Sequence, residues 1–371
     1  MLIGVPKEIK INENRVGLVP GSVRELLLHG HQVMVQRGAG IGAGFGDDTY
    51  VAVGATLADT AQEIFAKTDM IVKVKEPQPE ECAMLREGQV LFTYLHLAAD
   101  RAQTEALIKS GGVCIAYETV TDARNGLPLL TPMSEVAGRM SVQVAAHCLE
   151  KQQGGAGMLM GGVPGVPAAK VVIIGGGVSG TNAARMAMGM EADVTVLDRS
   201  LPRLNELDLQ FGARIHTLYS TFENIEQQLL SADVVIGAVL VPGAQAPKLV
   251  SRDMVRRMKP GSVIVDIAID QGGCIETSRP TSHDAPTYLE HGVVHYCVTN
   301  MPGAVARTSA LALNNATLPF VLALADKGWV RALEKDAHLR NGLNVCAGRV
   351  TYEAVAHDLG LDYSPVETVL H

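Results

Sequence analysis

KVVIIGGGVSGTNAARMAMGMEADVTVLD, Lys170 to Asp198, opens with a β-branched run, Val171 to Ile174. Such a run suits a strand buried on both faces of a parallel sheet. Gly175, Gly177 and Gly180 follow in G-x-G-x-x-G spacing, then small apolar residues, Ala183, Ala184, Met186, Ala187 and Met190, in a helix-like segment. A second apolar run, Val194 to Leu197, ends on Asp198. Each part has a physical task. Gly175 turns the chain sharply off the strand, Gly177 keeps side-chain atoms away from an approaching pyrophosphate, and Gly180 lets the helix close on the sheet. The helix N-terminus offers free N–H groups and a partial positive charge to phosphates. Asp198 is placed to accept hydrogen bonds from a ribose diol, which favours NAD over NADP because a carboxylate repels a 2′-phosphate. With 38 glycines in the chain the spacing alone is weak. The strand before, the helix after and the terminal acid together specify a Rossmann nucleotide-binding unit rather than a tight turn in another α/β protein.

The 371 residues allow two domains, each with its own core. Hydrophobic content of 47% with 19% charged residues suits a soluble globular enzyme. No apolar run reaches the ~18 residues of a membrane span, so no membrane partner is expected. The start, MLIGVPKEIK, does not read as an export signal, because its apolar run is short and an acid follows at once. A net charge of −8 without a basic block speaks against a nucleic-acid partner. Cys82, Cys114, Cys148, Cys274, Cys297 and Cys346 form no C-x-x-C pair and read as free thiols in a reducing cytoplasm. No Cys/His cluster has metal-site spacing, so no metal is expected.

Outward from the central stretch, the pattern predicts a second α/β domain on the N-terminal side. LIGVP, QVMVQ, MIVKVKEP, VLFTYLHLAA and VCIAYETV read as strands alternating with helical segments, including one begun by Pro20 and others at 62–67, 80–87 and 101–110. The glycine-rich GAGIGAGFG, Gly38 to Gly46, reads as a flexible surface loop. Residues 131–153 read as a long helix with Ser134 as its cap. After Asp198, RIHTLYS, ADVVIGAVLVPG, SVIVDIAIDQGG and VHYCVTNMPG continue the doubly wound count. From Val305 the chain reads as helices: a long one, then 331–340 and 349–359. The long helix is expected to return to the first domain. The expected architecture is therefore α/β, two doubly wound parallel-sheet domains. A Rossmann domain, 131–304, is inserted into a discontinuous domain, 1–130 and 305–371, with the active site in the cleft between them.

Three polar residues of the first domain stand out. Arg15 sits in the polar loop KINENRVGL, Lys75 lies on one apolar strand and His96 near the end of another. Each has a bland alternative: a surface charge, a snorkelling strand end and a satisfied core imidazole. Together they fit a site at the carboxyl ends of parallel strands, where α/β ligands bind. A carboxylate substrate calls for Arg or Lys, and proton transfer near neutral pH calls for His. Asp270, in IAIDQGG, completes the set.

GVPKEIKINENRVGLVP, VKVKEP, LFTYLHLAA, PMSEVAGRMSVQ, MGGVPGVPAAKVVIIGGGVSG, VDIAIDQGG and NMPGAVARTS carry a resemblance across essentially the whole chain. It resembles the alanine dehydrogenase and pyridine nucleotide transhydrogenase family, and within it the bacterial L-alanine dehydrogenases. The resemblance implies oxidation of L-alanine by NAD to pyruvate, ammonia and NADH, and a homohexamer. It implies that Arg15 and Lys75 bind the substrate carboxylate and carbonyl oxygen, that His96 is the general acid/base, and that Asp270 assists proton transfer and positions water. His96 and Asp270 come from different domains and are expected to meet when the cleft closes. The resemblance places cofactor contacts at Ser134, Gly175, Gly177, Val178, Ser179, Gly180, Asp198, Arg203, Ser220, Val239, Leu240, Ile267, Asp270 and Met301. Arg203 stands where relatives often carry Lys. Two other readings compete: the NAD-binding subunit of a proton-translocating transhydrogenase, and a catalytically silent NAD sensor. His96 with Asp270 disfavours the first, and the four intact catalytic positions disfavour the second.

Overall fold

The computed structural model describes residues 1–124, 126–239 and 246–370. The chain divides into two compact units, Met1–Met133 with Val305–His371, and Ser134–Ala304. In chain order the first unit contributes strands β1 (Leu2–Val5), β2 (Gln32–Gln36), β3 (Thr56–Ala58), β4 (Met70–Val72), β5 (Val90–Thr93) and β6 (Val113–Ala116). The second contributes β7 (Lys170–Ile174), β8 (Asp193–Asp198), β9 (His216–Tyr219), β10 (Val234–Gly237), β11 (Val263–Asp266), β12 (Thr287–Glu290) and β13 (Val293–Tyr296). The first unit resumes with β14 (Leu343–Cys346) and β15 (Arg349–Val350).

Among the described residues each unit has one sheet, and the two sheets share a plan. The first runs β15-β14-β6-β5-β4-β1-β2-β3, the second β12-β13-β11-β10-β7-β8-β9. In both, six parallel strands lie in the order third, second, first, fourth, fifth, sixth. The direction of building reverses between β1 and β4, and between β7 and β10. A doubly wound sheet opens a crevice for ligands at the carboxyl end of such a reversal.

Side-chain alternation along β7 shows how the second unit is built. Val171 and Ile173 join a core with Val142, Ala145, Ala183, Ala184 and Ala187. Val172 and Ile174 join another with Ile225, Leu229, Val250 and Met254. The strand thus divides its residues between two helical layers, as the two-residue period requires. The alanines on the helix Val178–Gly189 keep that helix close to the sheet.

Several expected elements differ in detail. MIVKVKEP forms a strand only over Met70–Val72, so Lys75 lies beyond the strand rather than on it. VLFTYLHLAA leaves the sheet after Thr93. The 80–87 helix is the short Pro79–Cys82, and the 131–153 helix is Thr131–Cys148, which puts Ser134 inside the first turn rather than at the cap. GAGIGAGFG is a compact turn, not a flexible loop: Ala39 and Ala43 are buried, and a Cβ on Gly42 would meet Asn14 at 2.8 Å. The long helix, Ala306–Lys327, stops at Gly328, whose φ is +76°. The largest departure follows it. Residues 343–350 form β14 and β15, a hairpin that extends the sheet antiparallel to β6. Its turn, Ala347–Gly348, has positive φ at both residues, the geometry that two-residue hairpins favour.

Candidate active site

In the first unit, β5, β4 and β1 are neighbours and run parallel. Their carboxyl ends therefore share one edge. Arg15 follows β1, Lys75 follows β4 and His96 follows β5, so the strand order itself brings the three segments to that edge.

Arg15 is 2% exposed. Its Nε donates to Glu13 Oε1 at 2.7 Å and its Nη2 to Glu13 Oε2 at 2.6 Å. Nη1 lies 3.0 Å from Met133 Sδ. Burial works to lower the Arg15 pKa, but the hydrogen bonds and charge of Glu13 outweigh it and hold the pKa above its ordinary value. The guanidinium is thus a permanent cation whose plane is set by Glu13.

Lys75 is half-buried, and its carbonyl accepts a hydrogen bond from Thr93 Oγ1 at 2.9 Å, tying the segment after β4 to the end of β5. His96 has a left-handed backbone, φ +53°, and is exposed. Its N–H donates to Glu118 Oε1 at 2.6 Å, and the neighbouring Leu95 N–H donates to the same carboxylate. The imidazole stacks on Tyr94, with centroids 5.9 Å apart and planes 11° apart. Tyr94 is held by donating to Leu129 O at 2.5 Å, and its buried phenol is pushed well above the usual range by desolvation, against the pull of Arg15. This edge offers a fixed cation, a half-buried ammonium and an accessible imidazole. Those groups can bind an oxo acid or amino acid through its carboxylate and move a proton at its α-substituent.

In the second unit the glycine loop follows β7. Gly175 has φ +100°, and a Cβ there would stand 2.7 Å from Ala238 O. A Cβ on Gly180 would stand 1.8 Å from Gly175 O, so any side chain would force helix and loop apart. Gly177, which caps the helix Val178–Gly189, has nothing within 4 Å of an added Cβ. Two glycines are therefore required by packing, while the third leaves an open cradle over the first N–H groups of a helix. That cradle fits a phosphate.

Asp198 ends β8. Its Oδ2 accepts from Gly176 N–H at 2.7 Å and its Oδ1 from Ser200 N–H at 2.8 Å. Arg203 takes the carbonyl of the same residue: Nε donates to Gly176 O at 2.6 Å, and Nη2 donates to Thr181 Oγ1 at 2.6 Å. Ser220 N–H donates to Asp198 O at 2.9 Å. Val178 and Ser179 open the helix beyond Gly177. Val239 follows β10 beside the glycine loop, and Leu240 lies outside the described residues. Ile267 and Asp270 belong to the turn Ile267–Gln271 after β11, so Asp270 stands beyond the strand. Asp270 Oδ1 accepts from Asn300 N–H at 3.2 Å, next to the buried Met301. Ser134 lies one helical turn before Gly138, where a Cβ would stand 2.1 Å from Ser179 O. The helix Thr131–Cys148 thus meets the start of Val178–Gly189 backbone to backbone.

Sequence reasoning missed Glu13, Tyr94, Met133, Glu118 and Gly138. Of these, only Gly138 carried a signal, as a glycine within a helical pattern.

Comparison with known proteins agrees over the whole chain. The profile of the alanine dehydrogenase/PNT N-terminal domain matches residues 4–137, and that of the C-terminal domain matches residues 141–353. An alanine dehydrogenase of Halomonas elongata is 60% identical over 98% of both chains. A solved L-alanine dehydrogenase is 55% identical, covers 97% of this chain and 99% of its own, and superposes with a TM-score of 0.95. A solved transhydrogenase from Sinorhizobium meliloti is 26% identical, covers 95% of this chain and 100% of its own, and has a TM-score of 0.81.

Proposed function

This chain belongs to the alanine dehydrogenase/PNT family, and from that premise we propose that it catalyses the reversible oxidative deamination of L-alanine to pyruvate and ammonia with NAD as hydride acceptor. It is an oxidoreductase of the amino-acid dehydrogenase type that uses a nicotinamide dinucleotide. Met1–Met133 with Val305–His371 is taken as the substrate unit, and Ser134–Ala304 as the nucleotide unit.

Bound NAD supplies the hydride chemistry. Gly175, Gly177, Gly180 and the first turn of Val178–Gly189 would hold its pyrophosphate. Asp198 would receive a ribose diol, which would favour NAD over NADP. Ser134, Arg203, Ser220, Val239, Leu240, Ile267 and Met301 would complete the contacts. Arg15 takes the alanine carboxylate while Glu13 keeps the guanidinium in plane. Loss of one ammonium proton and of hydride from the α-carbon leaves an iminopyruvate. Water adds to it with proton transfer through His96, helped by Asp270, and gives a carbinolamine. Ammonia then departs and the carbonyl oxygen of pyruvate forms beside Lys75. The proton steps need a group that cycles between charged and neutral near neutral pH, the role His is suited to.

The observation that most supports this reading is the shared edge of Arg15, Lys75 and His96 after β1, β4 and β5. The transhydrogenase reading is weaker, since 26% identity to a transhydrogenase stands against 55% to an L-alanine dehydrogenase over almost the same length. The test is NADH formation by the purified chain with L-alanine, repeated with other L-amino acids and with NADP. Failure to form NADH from any of them would remove the reading. We further propose a homohexamer acting in the cytoplasm, in keeping with the six buried free cysteines. A monomer by light scattering would remove the assembly.

A further inference from the structure

The segments that follow β1 and β4 are joined by two charged rungs. Lys73, the residue after β4, is fully buried, and its Nζ donates to Glu8 Oε2 at 3.0 Å and to Glu81 Oε1 at 2.8 Å. The second oxygen of each acid is also committed. Glu8 Oε1 accepts from Val74 N–H at 2.7 Å, and Glu81 Oε2 accepts from Gln78 N–H at 2.8 Å. The other rung has the opposite sense: Lys10, from the segment after β1, pairs with Glu76.

Lys75 lies between these rungs. Its neighbours on both sides, Val74 and Glu76, are tied to the segment after β1. Its own carbonyl is held by Thr93, and the Lys73 carbonyl accepts from Tyr117 OH at 2.9 Å. Burial works against the charge on Lys73, and the two carboxylates more than restore it.

Stability alone does not account for this arrangement. A buried ion cluster can often be replaced by apolar residues of similar volume at no cost to stability. What the cluster adds is direction, because each charged hydrogen bond fixes the position of one atom relative to another. The directions here converge on the backbone that carries Lys75.

We propose that Lys73, Glu8 and Glu81 are positioning residues for Lys75, setting where its ammonium stands relative to the oxygen of an oxo-acid substrate. This rests on the substrate role given to Lys75 above. The three residues act through the Lys75 backbone and not on the substrate itself. A displacement of about 1 Å at a positioned group can cost on the order of 10²-fold in rate.

The test uses the full-length chain, assayed for NADH-dependent amination of pyruvate. Lys73→Met would leave two buried carboxylates facing one another and can unfold the chain, so Glu8→Asp and Glu81→Asp carry the test. Each keeps the charge but withdraws the carboxylate by one methylene. In either variant kcat should fall by about 10- to 100-fold and KM for pyruvate should rise, while NADH affinity measured by fluorescence stays within about twofold. A lowered melting temperature with wild-type KM and kcat in both variants would overturn the proposal and leave the cluster as a staple. An inactive wild-type chain would remove the functional reading together with the device. An active wild-type chain with unaltered variants would remove the device alone.

Discussion

Glu13 holds Arg15 by both arms of the fork, Nε to Oε1 at 2.7 Å and Nη2 to Oε2 at 2.6 Å, and both side chains are almost fully buried. A bidentate pairing of the kind a carboxylate ligand could make is therefore used, on this edge of the guanidinium, by the protein itself. Glu13→Ala should cost about 3–5 kcal/mol of stability, because it removes the carboxylate that a buried cation is paired with. It should also raise KM for pyruvate. Arg15→Lys should retain neither the stability nor the KM of the wild type, since one ammonium cannot span both oxygens and still meet a substrate. Urea denaturation with pyruvate saturation curves checks both, and wild-type values in Arg15→Lys would show that the fork is dispensable.

Gly177 and Gly180 should respond oppositely to the same added methyl group. Gly177→Ala places Cβ in open space, so the melting temperature should hardly change while NADH affinity falls by about tenfold or more, because the methyl group enters the phosphate cradle. Gly180→Ala drives Cβ against Gly175 O and should destabilise the whole second unit. Thermal denaturation and NADH fluorescence titration separate the two. Unchanged NADH affinity in Gly177→Ala would mean that phosphates do not lie there.

On the proposed reading Asp198 receives the ribose diol, so NADP should bind on the order of a hundredfold worse than NAD. Asp198→Ala should narrow that gap. It should also lower affinity for both cofactors, since the carboxylate holds the N–H groups of Gly176 and Ser200. Equal use of NAD and NADP by the unmodified chain would sink the assignment.

His96→Ala should lower kcat by about 10²–10⁴-fold, the usual contribution of a positioned proton donor. NADH affinity should stay near normal, because the cofactor contacts are assigned to the other unit. Single-turnover amination of pyruvate is the measurement, and wild-type turnover would take the histidine out of the mechanism.

His295 is fully buried, with Thr277 Oγ1 at 2.8 Å from Nε2 and Val293 O at 3.0 Å from Nδ1. Burial lowers its pKa below the ordinary 6.5. The unfolded chain therefore binds a proton that the folded chain resists. Stability from this group should be intact above about pH 6.5 and should fall as pH drops from there toward the folded pKa, with a slope of up to about 1.4 kcal/mol per pH unit. His295→Gln should flatten that slope. Denaturation midpoints between pH 7 and pH 5 decide it, and an equally steep loss in the variant would assign the effect elsewhere.

The second unit was legible around residues 170–198 because strand composition, glycine spacing and helix pattern are all local and agree. The hairpin β14–β15 was not. Its turn is Ala347–Gly348, where an Asn-Gly or Asp-Gly pair would have announced it, and its place in the sheet depends on β6, far earlier in the chain. The site divides in the same way. Arg15, Lys75 and His96 attract notice as polar residues near apolar runs. Glu8, with its partner Lys73 65 residues away, reads as an ordinary surface charge until the sheet brings the two together. Burial of a charge is a property of the pair and not of either residue, so a reading of neighbours along the chain passes over it.

The common strand order of the two sheets implies that one scaffold was given two vocabularies at its first turn. After β7 the chain crosses to its helix in three glycines, and bare backbone amides are all it can offer, which suits a ligand recognised by its phosphates. After β1 it takes residues 6–19 to reach the helix at Pro20, and that longer passage has room for Glu8, Lys10, Glu13 and Arg15. The length of one connection thus decides whether a switch point speaks through main chain or through side chains. Grafting a short glycine turn after β1 should silence the proposed carboxylate site without redrawing the sheet beneath it.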